Sequence, residues 1–219
     1  MKNIPRIFIG QNIKTGTMIP VDKSVAHYLD HVMRRNDCLV FGDGNEYTAT
    51  LNDDGRALTI GEKTNHTDPS NDITLYFAPI KRLDDMLNMA TQMGVARFVP
   101  VITERTIANH INWDRMKKII IEAAEQSNRN SVPELKSLIK FDDLDLNNLI
   151  VADERFAHGK NVVEQKIKSN RIFVGPEGGF APKEFEKMDG ASTCSLSLGK
   201  TILRAEVAGV VAVAKVLNK

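Results

Sequence analysis

Two short stretches near the C-terminus constrain this chain more than anything else in it. Residues 171–180 read Arg-Ile-Phe-Val-Gly-Pro-Glu-Gly-Gly-Phe, and residues 196–206 read Leu-Ser-Leu-Gly-Lys-Thr-Ile-Leu-Arg-Ala-Glu. Each has the pattern of a buried strand that runs into a glycine turn and then a helix. The apolar run Ile172, Phe173, Val174 must stop at Gly175-Pro176, because proline cannot continue a ladder. Gly178 and Gly179 permit backbone conformations and close approaches that a Cβ would forbid. Pro182 suits the first turn of a helix, where Glu184 and Glu186 meet its positive end. The second stretch repeats the design, with a strand from Cys194 to Leu198, a turn at Gly199 and a long helix from about Thr201. Two such loops at the carboxyl ends of neighbouring strands build a ligand crevice.

The rest of the chain sets those stretches in an α/β frame. Thr74 to Ile80 reads as a strand, Leu83 to Met93 as a helix closed by Gly94, and Arg97 to Ile102 as a strand. Asn112 caps a helix to about Asn128, Leu149 to Ala152 is a buried strand, and a short helix is expected around residues 161–168. Strands separated by helices imply a mostly parallel sheet covered on both faces.

The N-terminal third has another rhythm. Residues 4–10 read as a first strand, and Asp22 caps a helix through Met33 with Val25, Leu29, Val32 and Met33 on its apolar side. Cys38 to Phe41, Glu46 to Leu51 and Arg56 to Ile60 are then separated by two hairpin signals, at 42–45 and 52–55. A small antiparallel β-barrel is expected here, with the polar run from Glu62 to Asn71 as linker. The domains are therefore 1–70 and 71–219.

Apolar content of 42% and charged content of 26% are those of a soluble globular protein, and the net charge of +1 announces no nucleic-acid partner. Residues 1–72 hold 8 Lys/Arg against 10 Asp/Glu, and the remainder holds 21 against 18. Cys38 and Cys194 alone support neither a disulfide framework nor a four-cysteine zinc site, so reduced thiols and no metal are expected. The start of the sequence lacks a signal-peptide core, and Ile202 to Leu217 is too short and too charged to span a bilayer. A soluble cytoplasmic protein without a membrane partner is the reading.

The last helix leaves almost no polar face, since Val207, Ala208, Val210, Val211, Val213, Ala214, Val216 and Leu217 surround it. Such a helix is buried, and at a chain end a homodimer interface is expected, with burial inside one subunit as the alternative. Arg204 and Glu206 at its start, and Glu177 in the first glycine loop, are charges set into apolar surroundings. A buried Arg204–carboxylate pair and a substrate-facing role both account for them. The glycine loop matches neither a phosphate loop nor a dinucleotide fingerprint. His27 and His31, four apart on a helix, lack the further ligands of a metal site. Glu122 to Asn130 ends a helix in amides and one arginine, either a C-cap or an RNA-facing edge. Arg34-Arg35 and Lys81-Arg82 are solvated pairs or phosphate contacts.

Gly175-Pro-Glu-Gly-Gly179 together with Leu196 to Glu206 resembles the signature of the SPOUT methyltransferase superfamily. Within it the chain resembles the bacterial small-subunit ribosomal RNA (uracil-N3)-methyltransferases. Ile4-Pro-Arg-Ile-Phe8, His27 with Val32-Met-Arg34, Glu104-Arg105, Glu122-Ala-Ala-Glu-Gln-Ser-Asn-Arg129 and Val132-Pro-Glu134 extend the match over nearly the full length. It departs at Met89 and Gln92, where the family usually has Lys and Glu, at Lys200 for Arg and at Val207 for Thr.

The resemblance implies a PUA-like β-barrel that binds RNA, followed by an α/β domain with a C-terminal trefoil knot. It implies S-adenosylmethionine between the two glycine loops at a dimer interface, with Gly175, Glu177, Gly178 and Gly179 on one wall. Leu198, Gly199, Ile202 and Leu203 form the other wall. The implied reaction is methylation of uracil N3 in 16S ribosomal RNA of the small subunit, without a metal. Because N3 must lose a proton, Arg204 is assigned to charge stabilisation and Glu206 or Glu177 to orientation or proton transfer. Arg6, Arg34, Lys81, Arg82, Asn128 and Arg129 are the expected RNA contacts. The competing readings are a ribose 2′-O-methyltransferase of the same fold and a non-catalytic RNA-binding protein on the same scaffold.

Overall fold

The computed structural model describes residues 4–10, 13–42, 44–107, 111–160 and 165–219. The chain forms two compact units. One comprises Met1–Ser70 with Ile121–Val132, and the other Asn71–Ile120 with Pro133–Lys219.

The first unit is built on strands β1 (Arg6–Phe8), β2 (Met18–Pro20), β3 (Asp37–Phe41), β4 (Glu46–Leu51) and β5 (Ala57–Lys63). They form one sheet in the order β1-β3-β4-β5-β2. Alternation does the sorting: Tyr47, Ala49 and Leu51 of β4 face the core while Thr48 and Thr50 face out. Gly55 turns the β4–β5 hairpin at φ +66°, its N–H bonded to the Asn52 carbonyl at 2.8 Å. Most pairs are antiparallel, but β1 lies parallel to β3, joined to it through a helical crossover. The β2 strand went unforeseen because Met18-Ile-Pro20 is too short to show a period.

That crossover is α1 (Lys23–His27) continued by a π-helical turn, Tyr28–Met33. Asp22 occupies the N-cap, but its side chain makes no capping bond. The wider turn also rotates the apolar face expected for a regular helix. Leu29 is fully buried while Val32 is 60% exposed. Arg34, at φ +53°, ends the turn.

Arg6 is the anchor of this unit. Its Nε donates to Glu46 Oε2 at 2.9 Å, Nη1 to the carbonyls of Ala124 and Arg129, and Nη2 to Asn130 Oδ1 at 2.7 Å. Its guanidinium also lies over the Phe41 ring, 4.4 Å from the centroid.

The second unit contains β6 (Thr74–Phe77), α2 (Leu83–Gln92), β7 (Arg97–Ile102), the start of α3 (Trp113–Gln126), β8 (Glu134–Leu135), β9 (Ile139–Lys140) and β10 (Ile150–Ala152). It ends with β11 (Arg171–Val174), α4 (Pro182–Asp189), β12 (Cys194–Leu196) and α5 (Ala205–Leu217). The sheet runs β12-β10-β11-β6-β7-β8, with β9 also on β7, and every pair is parallel. Buried Leu75, Phe77, Phe98, Ile172 and Phe173 give its strands the continuous apolar character of a sheet covered on both faces. In chain order the sheet grows from β6 toward β8, then jumps to β10 and returns with β11 beside β6. The carboxyl ends of β6, β11, β10 and β12 are thus neighbours.

Two of the expected helices differ markedly from the sequence reading. The helix expected from about Thr201 begins at Ala205, because residues 197–204 form a loop. Residues 161–164 of the helix expected around 161–168 lie outside the described residues, and 165–168 are not helical. Nor is α5 buried all round. Gly209, Ala212, Val213 and Val216 form its buried stripe, whereas Val207 and Leu217 are about two-fifths exposed.

Candidate active site

A cavity of about 1060 Å³ opens where the carboxyl ends of β6, β10, β11 and β12 meet. In a parallel sheet this is the expected place for a ligand. Its first wall is the turn after β11. Gly175 lies so near the Phe180 ring that a Cβ would stand 3.1 Å from it, and Gly179 is at φ +68°. The second wall is the loop after β12, where Gly199 adopts φ +119° and Leu198, Ile202 and Leu203 line the cavity. Ile202, 68% exposed, lies on this wall.

The charged residues are placed by the same loops. Glu177 Oε1 accepts the Lys81 backbone N–H at 2.8 Å, which ties the first turn to the segment after β6. Glu206, in the first turn of α5, is 6% exposed and benefits from the helix's positive end. Of the two readings left open for Arg204, the carboxylate pair is not formed among the described residues; instead Arg82 Nε approaches Glu206 Oε1 at 3.9 Å. Arg204 is exposed at the N-cap of α5 and lines the cavity. Lys81 and Arg82, expected as RNA contacts, line it as well.

Every residue expected to bind the cofactor therefore lines one cavity, with Arg204, Glu206 and Glu177 beside it. The other expected RNA contacts belong to the first unit. Arg34 is exposed there. Arg6 departs from its expected role, because its guanidinium is buried among carboxylate, amide and carbonyl acceptors. Asn128 sits at φ +58° just past α3, and the Arg129 N–H returns to the Ala124 carbonyl at 3.1 Å, which is a helix-terminating bond. Arg129 is 9% exposed, and burial lowers its guanidinium pKa.

Sequence reasoning missed the wall after β10. Arg155 bridges Asp153 and Asp189, with Nη2–Oδ2 2.7 Å and Nη1–Oδ2 2.6 Å, and stacks 4.1 Å above the Phe185 ring centroid. These bonds raise the pKa of Arg155 and lower that of Asp189. Glu154 lines the cavity, as does Arg105, whose Nη1 donates to the Gly178 carbonyl at 2.9 Å. The signal was present in position alone, since Asp153 to Arg155 directly follow a strand already legible. Among the described residues, no group of three or more His, Cys, Asp or Glu side chains could hold a metal ion.

A family model of an RNA methyltransferase domain matches residues 67–217. The chain is 34% identical to the ribosomal RNA small subunit methyltransferase E of Rickettsia conorii, over 96% of this chain and 94% of that protein. It is 28% identical to the protein of the same name from Aquifex aeolicus, over 97% and 99%. The fold matches the crystal structure of a ribosomal RNA small subunit methyltransferase E from Neisseria gonorrhoeae bound to S-adenosylmethionine. That match has a TM-score of 0.83 at 28% identity and covers 99% of this chain and 98% of that one.

Proposed function

The chain belongs to the RNA methyltransferase domain family, and from that membership we propose that it methylates N3 of a uridine in small-subunit 16S ribosomal RNA, using S-adenosylmethionine. The observation that carries this reading is the convergence of both glycine loops on one cavity with Arg204 and Glu206 at its edge. The residues suit the cofactor. Leu198, Ile202 and Leu203 offer apolar contact for an adenine ring, and the turns at Gly178 and Gly199 bring backbone close without a Cβ in the way. Carboxylates at Glu177 and Glu206 complement a cationic ligand. When bound, the cofactor supplies a methyl group on a positively charged sulfur.

The chain's own residues then act on the uracil. N3 carries a proton and becomes nucleophilic only when that proton leaves. Glu206 is the carboxylate we assign to accept or orient it, with Glu177 as its neighbour in the opposite loop. Arg204 is free to face the negative charge that spreads over the two carbonyl oxygens. The base must leave its stack to enter a cavity of this kind. We take residues 1–70 as a PUA-like RNA-binding domain with Arg34 among its phosphate contacts, and residues 71–219 as a SPOUT catalytic domain with a C-terminal trefoil knot. The exposed apolar side chains Val207 and Leu217 support a homodimer through α5, and the cytoplasm is the compartment this substrate requires. The test is methyl transfer to small ribosomal subunits lacking the modification, with the product identified at the nucleoside level.

A further inference from the structure

The turn after β11 is shaped by a carboxylate from the end of a different strand. Glu154 directly follows Asp153 at the end of β10, and its Oε1 accepts the Phe180 backbone N–H at 2.9 Å. The turn wraps this oxygen closely. A Cβ added to Gly179 would fall on Glu154 Oε1, far inside any real contact, and Gly179 is held at φ +68°. Burial raises the Glu154 pKa, and its hydrogen bonds from backbone N–H groups, Phe180 among them, oppose that rise.

Two other contacts fasten the same turn to the segment after β7. Arg105 holds the Gly178 carbonyl, and Glu184 accepts the N–H groups of both Ala181, at 2.8 Å, and Glu104, at 2.9 Å. Glu154 fastens it from the side of the cavity it lines. Its own base is fixed, because neighbouring Arg155 is clamped between Asp153 and Asp189. A partly buried carboxylate with one oxygen committed to a loop N–H, on the wall of a ligand cavity, sets the shape that the loop presents.

We propose that Glu154 is a positioning residue that holds Gly178–Phe180 in the conformation that receives S-adenosylmethionine. This rests on the cofactor reading above. The full-length protein is titrated calorimetrically with S-adenosylmethionine as wild type, Glu154→Ala, Glu154→Gln and Gly179→Ala, and kcat and the cofactor KM are measured for each. Glu154→Ala is expected to weaken binding about tenfold, the scale of one lost hydrogen bond, and to raise KM more than it lowers kcat. Glu154→Gln retains an oxygen that can accept the Phe180 N–H and keeps most of the affinity. Gly179→Ala puts a Cβ on the carboxylate oxygen at a left-handed φ, so it parts the carboxylate from the turn and reproduces the loss, which also serves should Glu154→Ala fail to fold. The proposal is overturned if Glu154→Ala or Gly179→Ala binds like wild type. It is equally overturned if Glu154→Gln loses as much as Glu154→Ala, because charge and not position would then matter. A wild-type protein that binds no S-adenosylmethionine would instead overturn the cofactor reading itself.

Discussion

Arg82 Nε lies 3.9 Å from Glu206 Oε1, and the two side chains differ sharply in exposure, 59% for the arginine against 7% for the carboxylate. The carboxylate therefore sits buried at a helix N-terminus on the cavity wall, with an exposed cation at its mouth. Glu206→Gln preserves shape and removes the carboxylate we propose to accept or orient the N3 proton, so kcat should fall about a hundredfold or more. Arg82→Ala removes only the partly solvated partner. It should lower kcat/KM less than Glu206→Gln does and cost under about 1 kcal/mol of stability. Steady-state kinetics and urea denaturation of both variants measure this ordering.

Gly199 is a second point of leverage, for a conformational reason. At φ +119° it occupies backbone space that other residues rarely enter, although a Cβ there would touch nothing within 4 Å. Strain alone is therefore at issue, on the order of 1–3 kcal/mol. Gly199→Ala should weaken S-adenosylmethionine binding about tenfold by displacing the loop after β12. Calorimetric titration would show it, and unchanged affinity would mean that this loop does not hold the cofactor.

What the sequence made legible were features carried by short-range pattern. The strand and glycine turn at 171–180 were readable because apolar runs and glycines adjoin. The α5 boundary was not. Thr201-Ile-Leu203 has the composition of a helix start, yet the chain spends those residues on the cavity wall, where Ile202 is exposed. Arg6 was misread for a related reason. Its acceptors Ala124, Arg129 and Asn130 lie 118 to 124 residues away, and no local pattern reports a partner at that distance. The parallel pairing of β1 with β3 was hidden likewise, because strand direction depends on the path of the intervening helix.

Arg6 accordingly predicts a stability effect rather than an RNA-binding one. Its removal strands Glu46 at 5% exposure and leaves the Asn130 side chain, fully buried, without its arginine donor. Arg6→Ala should cost about 3–5 kcal/mol in denaturant unfolding. Arg34→Ala, at an exposed position, should leave stability within about 0.5 kcal/mol. It should reduce the salt dependence of RNA binding by about one counterion.

The Arg155–Asp189 pair sets a pH signature. The Arg155 hydrogen bond holds the Asp189 carboxyl below its ordinary value of 3.8. The pair therefore contributes its stability above that ordinary value and loses it as pH falls through the depressed value. Asp189 is half exposed, so solvent screening keeps the contribution under about 1 kcal/mol. Asp189→Asn should be less stable than wild type at neutral pH, and the gap should close in acid. Denaturation midpoints at neutral pH and across the acid range would reveal it, and a constant gap would contradict it.

The most direct test of the central claim is transfer of a labelled methyl group from S-adenosylmethionine to small ribosomal subunits lacking the modification, followed by nucleoside analysis. The account predicts label in 3-methyluridine with the wild type, and a kcat reduced about a hundredfold for Arg204→Ala with cofactor binding intact. Label on a ribose 2′-hydroxyl, or no transfer to the subunit despite tight cofactor binding, would contradict it.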